Sequence, residues 1–219
     1  IRTIPVMLQV VKEMEVLCPD ALLLNYVNPM AMLCWSIAES SNIKTIGLCH
    51  SVQHTAAQLA RDLEIPETDL DYVAAGINHM SFFLKLEKVG DQKKIDLYPQ
   101  LRERAKGQIP SRRVSKSVAL SDAVRYEVFR RTGFFVTESS EHFAEYVPWF
   151  IKSGREDLLN EFSIPLDEYP RRCEEQIAEW VSLRDKLENP DTKFASQKSN
   201  EYGAGIIHSM ETGQERTFN

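Results

Sequence analysis

Cys49 and His50 stand together where the apolar run KTIGL (44–48) ends, and His79 follows in the stretch GINHM (76–80). A thiolate and an imidazole are both ligands for a divalent transition metal, and two such ligands leave positions open for substrate oxygens. The same residues also read as a small buried thiol at a strand end and a hydrogen-bonded histidine beside a glycine turn. Spacing by itself favours the second reading. A second group, TESSEHFAEYVPWF (137–150), contains Glu138, Glu141, His142, Glu145 and Tyr146. On a helix, His142, Glu145 and Tyr146 share a face through i+3 and i+4 spacing. A tyrosine near a metal or another cation can have a lowered pKa and act as a base, whereas one beside Pro148 and Trp149 is more often packed core with a satisfied hydroxyl, the reading the pattern alone favours. A third polar point, Asn25 to Pro29, closes the apolar run ALLLNYV (21–27).

Such residues need elements to carry them. Ile4, Met7, Leu8, Val11 and Met14 recur at helical spacing, predicting an amphipathic helix over residues 3–17. The runs ALLLNYV and KTIGLC are short and continuously apolar, as expected of parallel strands covered on both faces, and each precedes a helical pattern, MAMLCWSIAESS (30–41) and about 51–63. Pro29 holds Asn28 extended and opens the first of these helices. Helix, strand, helix, strand, helix is the rhythm of a doubly wound parallel sheet, whose ligands collect beyond the carboxyl ends of the strands. That rim is where Asn28 and Cys49 would meet.

After Pro66 the pattern becomes α+β. Residues 72–86 predict paired strands around a break at Gly76 to Met80, residues 96–106 a helix, and the polar, basic stretch 107–117 a mobile loop. A helix over 120–131, a short strand GFFVT (133–137), a Ser-capped helix that Pro148 ends, and two further helices at 166–188 and 199–211 complete the reading. The fold class expected is α/β: residues 1–66 the remainder of a Rossmann-like parallel sheet of the lactate/malate dehydrogenase kind, and 67–219 an α+β catalytic domain.

Among the 219 residues, 43% are hydrophobic, enough for a substantial core, and the net charge of -6 offers no basic footprint for nucleic acid or acidic lipid. No apolar run near the start approaches the roughly 20 residues of a membrane span. The four cysteines sit singly, outside any disulfide or zinc-knuckle spacing, so reduced thiols and a cytoplasmic location are expected. The partner expected is a small molecule or a protein. The chain begins and ends in mid-pattern, so it reads as part of something longer. Gly203 to Gly205 lacks the third glycine and the preceding strand of a dinucleotide fingerprint.

Five blocks, NYVNPMAMLCW (25–35), GLCHSVQHTAAQLARDL (47–63), AGINHMSFFLKLE (75–87), RYEVFRRTGFFVTESSEHFAEYVPWF (125–150) and PLDEYPRRCEEQ (165–176), resemble the alpha-galactosidase (melibiase) branch of glycoside hydrolase family 4. The resemblance covers nearly the whole chain. It implies an unusual glycosidase that uses NAD and a divalent metal, usually Mn2+, and that oxidises the sugar at C3, removes the C2 proton, expels the glycosidic oxygen by elimination, adds water at C1 and returns the hydride. It implies Cys49 and His79 as the metal's protein ligands, Asn28 as a sugar contact and Tyr146 as the base at C2. Glu141 and His142 would belong to the wall of the substrate site. His50 stands where relatives acting on phosphorylated glucosides can have Asp, a candidate acid for the leaving oxygen; here it could donate a proton or bind the sugar. The family's glycine-rich NAD phosphate turn has no counterpart in these residues. Relatives are commonly dimers or tetramers, so a homo-oligomer acting on a small glycoside is expected. The neighbouring readings are an alpha-glucosidase, a 6-phospho-glycosidase or a uronic-acid glycosidase of the same family. Outside it stand an NAD-linked 2-hydroxy-acid dehydrogenase, for which no His/Asp pair and substrate arginines can be placed, and a non-enzymatic remnant.

Overall fold

The computed structural model describes residues 2–90, 93–107, 109, 111–113, 119–189, 191–193 and 203–215. Helix α1 (Thr3–Leu17) leads to strand β1 (Leu22–Asn25), helix α2 (Met30–Ser40), strand β2 (Lys44–Gly47) and helix α3 (Ser51–Asp62). β1 and β2 pair in parallel, with Asn25 opposite Gly47, so both chain reversals into α2 and α3 leave from the same rim. Val11, Ile37 and Ile43 form a small core between α1, α2 and the sheet, against which Leu23 packs. Covering on both faces is not seen. Among the described residues Leu22 to Leu24 are only partly buried, because α1 and α2 shield the side that Leu23 faces and successive strand residues point to opposite faces.

A short 3-10 turn (Glu67–Asp69) opens the antiparallel part. Strands β3 (Leu70–Ile77) and β4 (Met80–Lys88) form a hairpin with a bulge between Val73 and Ala74. β4 also pairs with β5 (Ile95–Asp96) near its end and with β8 (Phe135–Val136) near its start. Between these lie α4 (Tyr98–Lys106), the strand pair β6 (Ser111–Arg113) and β7 (Ala119–Ser121), and α5 (Ala123–Thr132). Helices α6 (Ser140–Tyr146), α7 (Glu156–Glu161), α8 (Glu168–Glu188) and α9 (Gly203–Thr212) follow.

The β6–β7 pair replaces part of the expected mobile loop, since backbone groups of a polar stretch can still satisfy one another across a ladder. Residues 108, 110 and 114–117 of that stretch, and 199–202 of the last expected helix, lie outside the described residues. The two-residue β5 and the six-residue α7 are too short for hydrophobic periodicity to show. The helix expected from 120 starts at Ala123 because 119–121 pair as a strand.

α3 joins the two halves. Its Ala56, Leu59 and Ala60, at helical spacing, belong to one core with Phe83 and Leu86 of β4, Leu101 of α4, Tyr126 and Phe129 of α5, and Phe135. Beside that apolar contact runs a buried polar one. Arg125, 2% exposed, places Nε 2.7 Å from Asp122 Oδ1 and 2.9 Å from Oδ2, and Asp122 is 0% exposed. The guanidinium also donates to Thr55 Oγ1 (2.9 Å) and Gln58 Oε1 (2.7 Å) on α3 and lies 5.2 Å over the Phe135 ring. Thr55 in turn donates to the Thr137 carbonyl at 2.7 Å, and Ser140, at the start of α6, donates to Asp122 Oδ1 at 2.5 Å. Removing one member of such a pair strands the other charge without water. Asp122→Ala is expected to lower unfolding free energy by about 3–5 kcal/mol, read as the denaturant midpoint of the intact protein; a loss below about 1 kcal/mol, the scale of an exposed pair, would contradict the role given to it.

Candidate functional site

Cys49 is the second residue after β2, and His50 caps the N-terminus of α3. The backbone thus turns from strand to helix at the residue whose side chain carries chemistry. His79 lies in the two-residue loop of the β3–β4 hairpin, with Ile77 opposite Met80. Its φ is +64°, a left-handed conformation that few non-glycine residues adopt and that histidine tolerates better than most. Gly76 makes the turn possible. Its own φ is +140°, and a Cβ there would lie 2.5 Å from the Met80 carbonyl oxygen. The start of β4 is fixed further by Ser81, whose carbonyl accepts from Thr137 N at 3.0 Å and whose hydroxyl meets Thr137 Oγ1 at 2.5 Å.

These anchors bring separate parts of the chain together. Cys49 Sγ is 3.5 Å from His79 Nε2, and Tyr146 Oη is 3.0 Å from His79 Nδ1. Glu138, in the turn between β8 and α6, places Oε2 3.4 Å from the same Nε2. Cys49 Sγ also lies 3.3 Å from Ser51 Oγ. Met30, Gly47, Cys49, Tyr72 and His79 help to wall a cavity of about 510 Å³.

A thiolate and an imidazole sharing one tetrahedral divalent ion stand about 3.6 Å apart. The Sγ–Nε2 separation of 3.5 Å therefore suits a common ion as the side chains stand, and the outward nitrogen of His79 is already oriented by Tyr146, as ligating histidines require. Among the described residues no three His, Cys, Asp or Glu side chains surround a common point at ligating distance, so the preformed part of the site is a pair.

The Tyr146 hydroxyl is held above the usual phenol range by burial first, and then by the negative charges of Glu138, Tyr169, Glu145 and Cys49. The lowering expected of a tyrosine near a metal is not seen in the protein alone, where burial and these negative charges act the other way.

The other sequence candidates lie beside this centre. The His50 ring stacks with Tyr26 (4.9 Å between ring centroids, 6° between planes) and with His54 (5.7 Å, 18°). Asn28 is exposed, joined to Pro29 by a cis peptide, and its Oδ1 accepts from Met30 N at 3.3 Å, closing the entry to α2. Glu141 is 3% exposed in the first turn of α6. His142 does not join Tyr146 at His79: its Nδ1 lies 3.1 Å from Glu145 Oε2 and its ring 5.8 Å from Tyr169. A helix face is wide enough for i and i+4 residues to reach different neighbours. Sequence reasoning gave no role to Glu138, Tyr26, His54 or Tyr169. The His50/His54 pair at i, i+4 was a usable signal for one of them, whereas Glu138 precedes its helix and carries no periodicity.

Comparison with known proteins agrees along the chain. Residues 1–65 match the model of family 4 glycosyl hydrolases, and residues 74–219 match that of the family 4 glycosyl hydrolase C-terminal domain. An alpha-galactosidase of Bacillus subtilis (strain 168) is 45% identical over 218 residues, covering 100% of this chain and 48% of that protein. The crystal structure of lplD from Bacillus subtilis superposes with a TM-score of 0.77 at 23% identity over 95% of this chain and 49% of that one. A 6-phospho-beta glucosidase from Thermotoga maritima, solved with manganese, NAD+ and glucose-6-phosphate, gives a TM-score of 0.57 at 16% identity over 96% of this chain and 44% of its own. The chain spans about half the length of the curated relatives it matches.

Gly76→Ala is expected to destabilise the protein by more than about 1 kcal/mol, since alanine fits neither the φ nor the space. Thermal unfolding of the intact protein checks it, and an unchanged melting temperature would contradict the hairpin geometry.

Proposed function

The chain belongs to glycosyl hydrolase family 4, and from that premise we propose that the whole protein hydrolyses alpha-galactosides with NAD and a divalent metal, Mn2+ by preference, at the site built around Cys49 and His79. The observation that carries this reading is the 3.5 Å approach of Cys49 Sγ to His79 Nε2, from two elements 30 residues apart, with Tyr146 on the far nitrogen. Residues 1–66 would be the remainder of the nucleotide-binding domain and 67–219 the catalytic one.

When bound, NAD supplies a hydride acceptor and donor at the sugar's C3, and the metal supplies a Lewis acid for the C2 and C3 oxygens. Cys49 and His79 would hold the ion through Sγ and Nε2. With Nε2 so engaged, the proton of the neutral imidazole would reside on Nδ1 and be donated to Tyr146 Oη, 3.0 Å away. That hydrogen bond stabilises the phenolate form of Tyr146, the form able to take the C2 proton made acidic by oxidation at C3. His50, its ring stacked with those of Tyr26 and His54, is the group we assign to the leaving oxygen. Asn28, Glu141 and His142 are assigned to the sugar.

The alpha-galactosidase reading is supported by the relative at 45% identity over the whole chain. Uronic-acid specificity is the second reading, favoured by alpha-galacturonidases such as that of Thermoanaerobacterium saccharolyticum at 25% identity over 96% of the chain. We place the protein in the cytoplasm as a homo-oligomer, dimer or tetramer. Among the described residues no helix is long and apolar enough to cross a membrane, and all four cysteines are free.

Cys49→Ser and His79→Ala in the intact protein are each expected to abolish metal-dependent hydrolysis of an alpha-galactoside, and normal rates in both would refute the site. Tyr146→Phe should stop exchange of the substrate's C2 hydrogen with deuterated solvent while leaving the fold intact. Exchange at the parent rate would remove Tyr146 from the role of base.

A further inference from the structure

We propose that Ser51 is a positioning residue for the metal site, its hydroxyl and backbone N–H donating to the Cys49 thiolate and holding Sγ on the side that faces His79; this rests on the reading of Cys49 and His79 as ligands. Ser51 is the first residue of α3 and lines the same cavity as Cys49 and His79. Its Oγ lies 3.3 Å from Cys49 Sγ, and its backbone N donates to the same sulfur at 3.5 Å. From the hairpin, His79 Nε2 approaches that sulfur at 3.5 Å. The sulfur is therefore held from the helix on one side and met by the imidazole on the other.

A cysteine side chain has three staggered positions about its Cα–Cβ bond, and the thiol itself selects none of them. Two hydrogen bonds from Ser51 select one, because they fix Sγ against the start of α3, where the free N–H groups and the helix dipole also favour a negative atom. An uncharged thiol can give its own proton to Ser51 Oγ. As a thiolate the sulfur has no proton, so the hydroxyl turns and becomes the donor, and a hydrogen bond to a charged acceptor is about twice as strong as a neutral one. The contact thus strengthens in the form of Cys49 that binds an ion. It also adds no ligand, so the protein's share of the coordination stays with Cys49 and His79 and the remaining positions stay open to sugar oxygens.

The test reads the sulfur itself. Co2+ is titrated into the intact protein and the near-ultraviolet thiolate-to-cobalt band recorded, while Mn2+ affinity is followed in parallel by electron paramagnetic resonance of the free ion. A hydrogen bond lowers the energy of the sulfur electrons, so Ser51→Ala is expected to move the band to longer wavelength. It should also weaken Mn2+ binding about tenfold, the lower end of the range for losing a ligand's hydrogen-bond partner. Ser51→Thr, which keeps the hydroxyl, is expected to return both to the parent values. A serine that served only the helix start would change the melting temperature and leave the band in place. The parent band in Ser51→Ala, or a threonine variant no better than the alanine one, would overturn the proposal. A parent protein without a thiolate band, or a band that survived Cys49→Ser, would instead overturn the ligand reading beneath it, so the two failures are distinct.

Discussion

The buried ion pair of Arg125 with Asp122 sets the frame in which the site exists. One guanidinium, 2% exposed, reaches across to Thr55 and Gln58 on α3, and Asp122 takes Ser140 at the head of α6. Thr55 passes the connection to Thr137, and Thr137 to Ser81 at the start of β4. The helix that follows Cys49, the turn that carries Glu138, the helix that carries Tyr146 and the hairpin that carries His79 therefore share one polar network. A purely apolar contact would hold these elements together without fixing their register as narrowly. Hydrogen bonds of fixed length and direction tie each element at a single residue.

Within that frame the site is organised by charge. Thiol, carboxylate and phenol converge on the two nitrogens of one imidazole, which sits in a left-handed turn made possible by Gly76. In the protein alone burial first, and then the neighbouring negative groups, raise the Tyr146 hydroxyl, the wrong direction for a base. On the proposed reading a divalent cation held there would reverse that field, which would couple metal binding to activation of the base.

Much of this was legible in the sequence. The helix over residues 3–17, the two parallel strands and the paired strands around GINHM all follow from periodicity, and they coincide with α1, β1, β2 and the β3–β4 hairpin. Cys49 at a strand end and His79 in a turn were visible as candidate ligands, though pattern alone favoured reading the thiol as core. What escaped depends on contacts between distant segments. Arg125 and Asp122 look like ordinary surface charges of a helix, and nothing local marks them as buried. Glu138 gains its meaning from a hairpin more than fifty residues earlier. His142, placed by spacing on the face of Tyr146, turns to Glu145 and Tyr169 because α8 packs beside it. The short β5, β6, β7 and α7 are fixed by neighbours and have too few residues to show a period.

The central claim is that one ion is shared by Cys49 Sγ and His79 Nε2. X-ray absorption at the zinc edge of the intact, zinc-loaded protein reads it directly. The account predicts a single sulfur scatterer at about 2.3 Å together with imidazole outer-shell scattering. A shell of oxygen and nitrogen alone, with no sulfur, would contradict it.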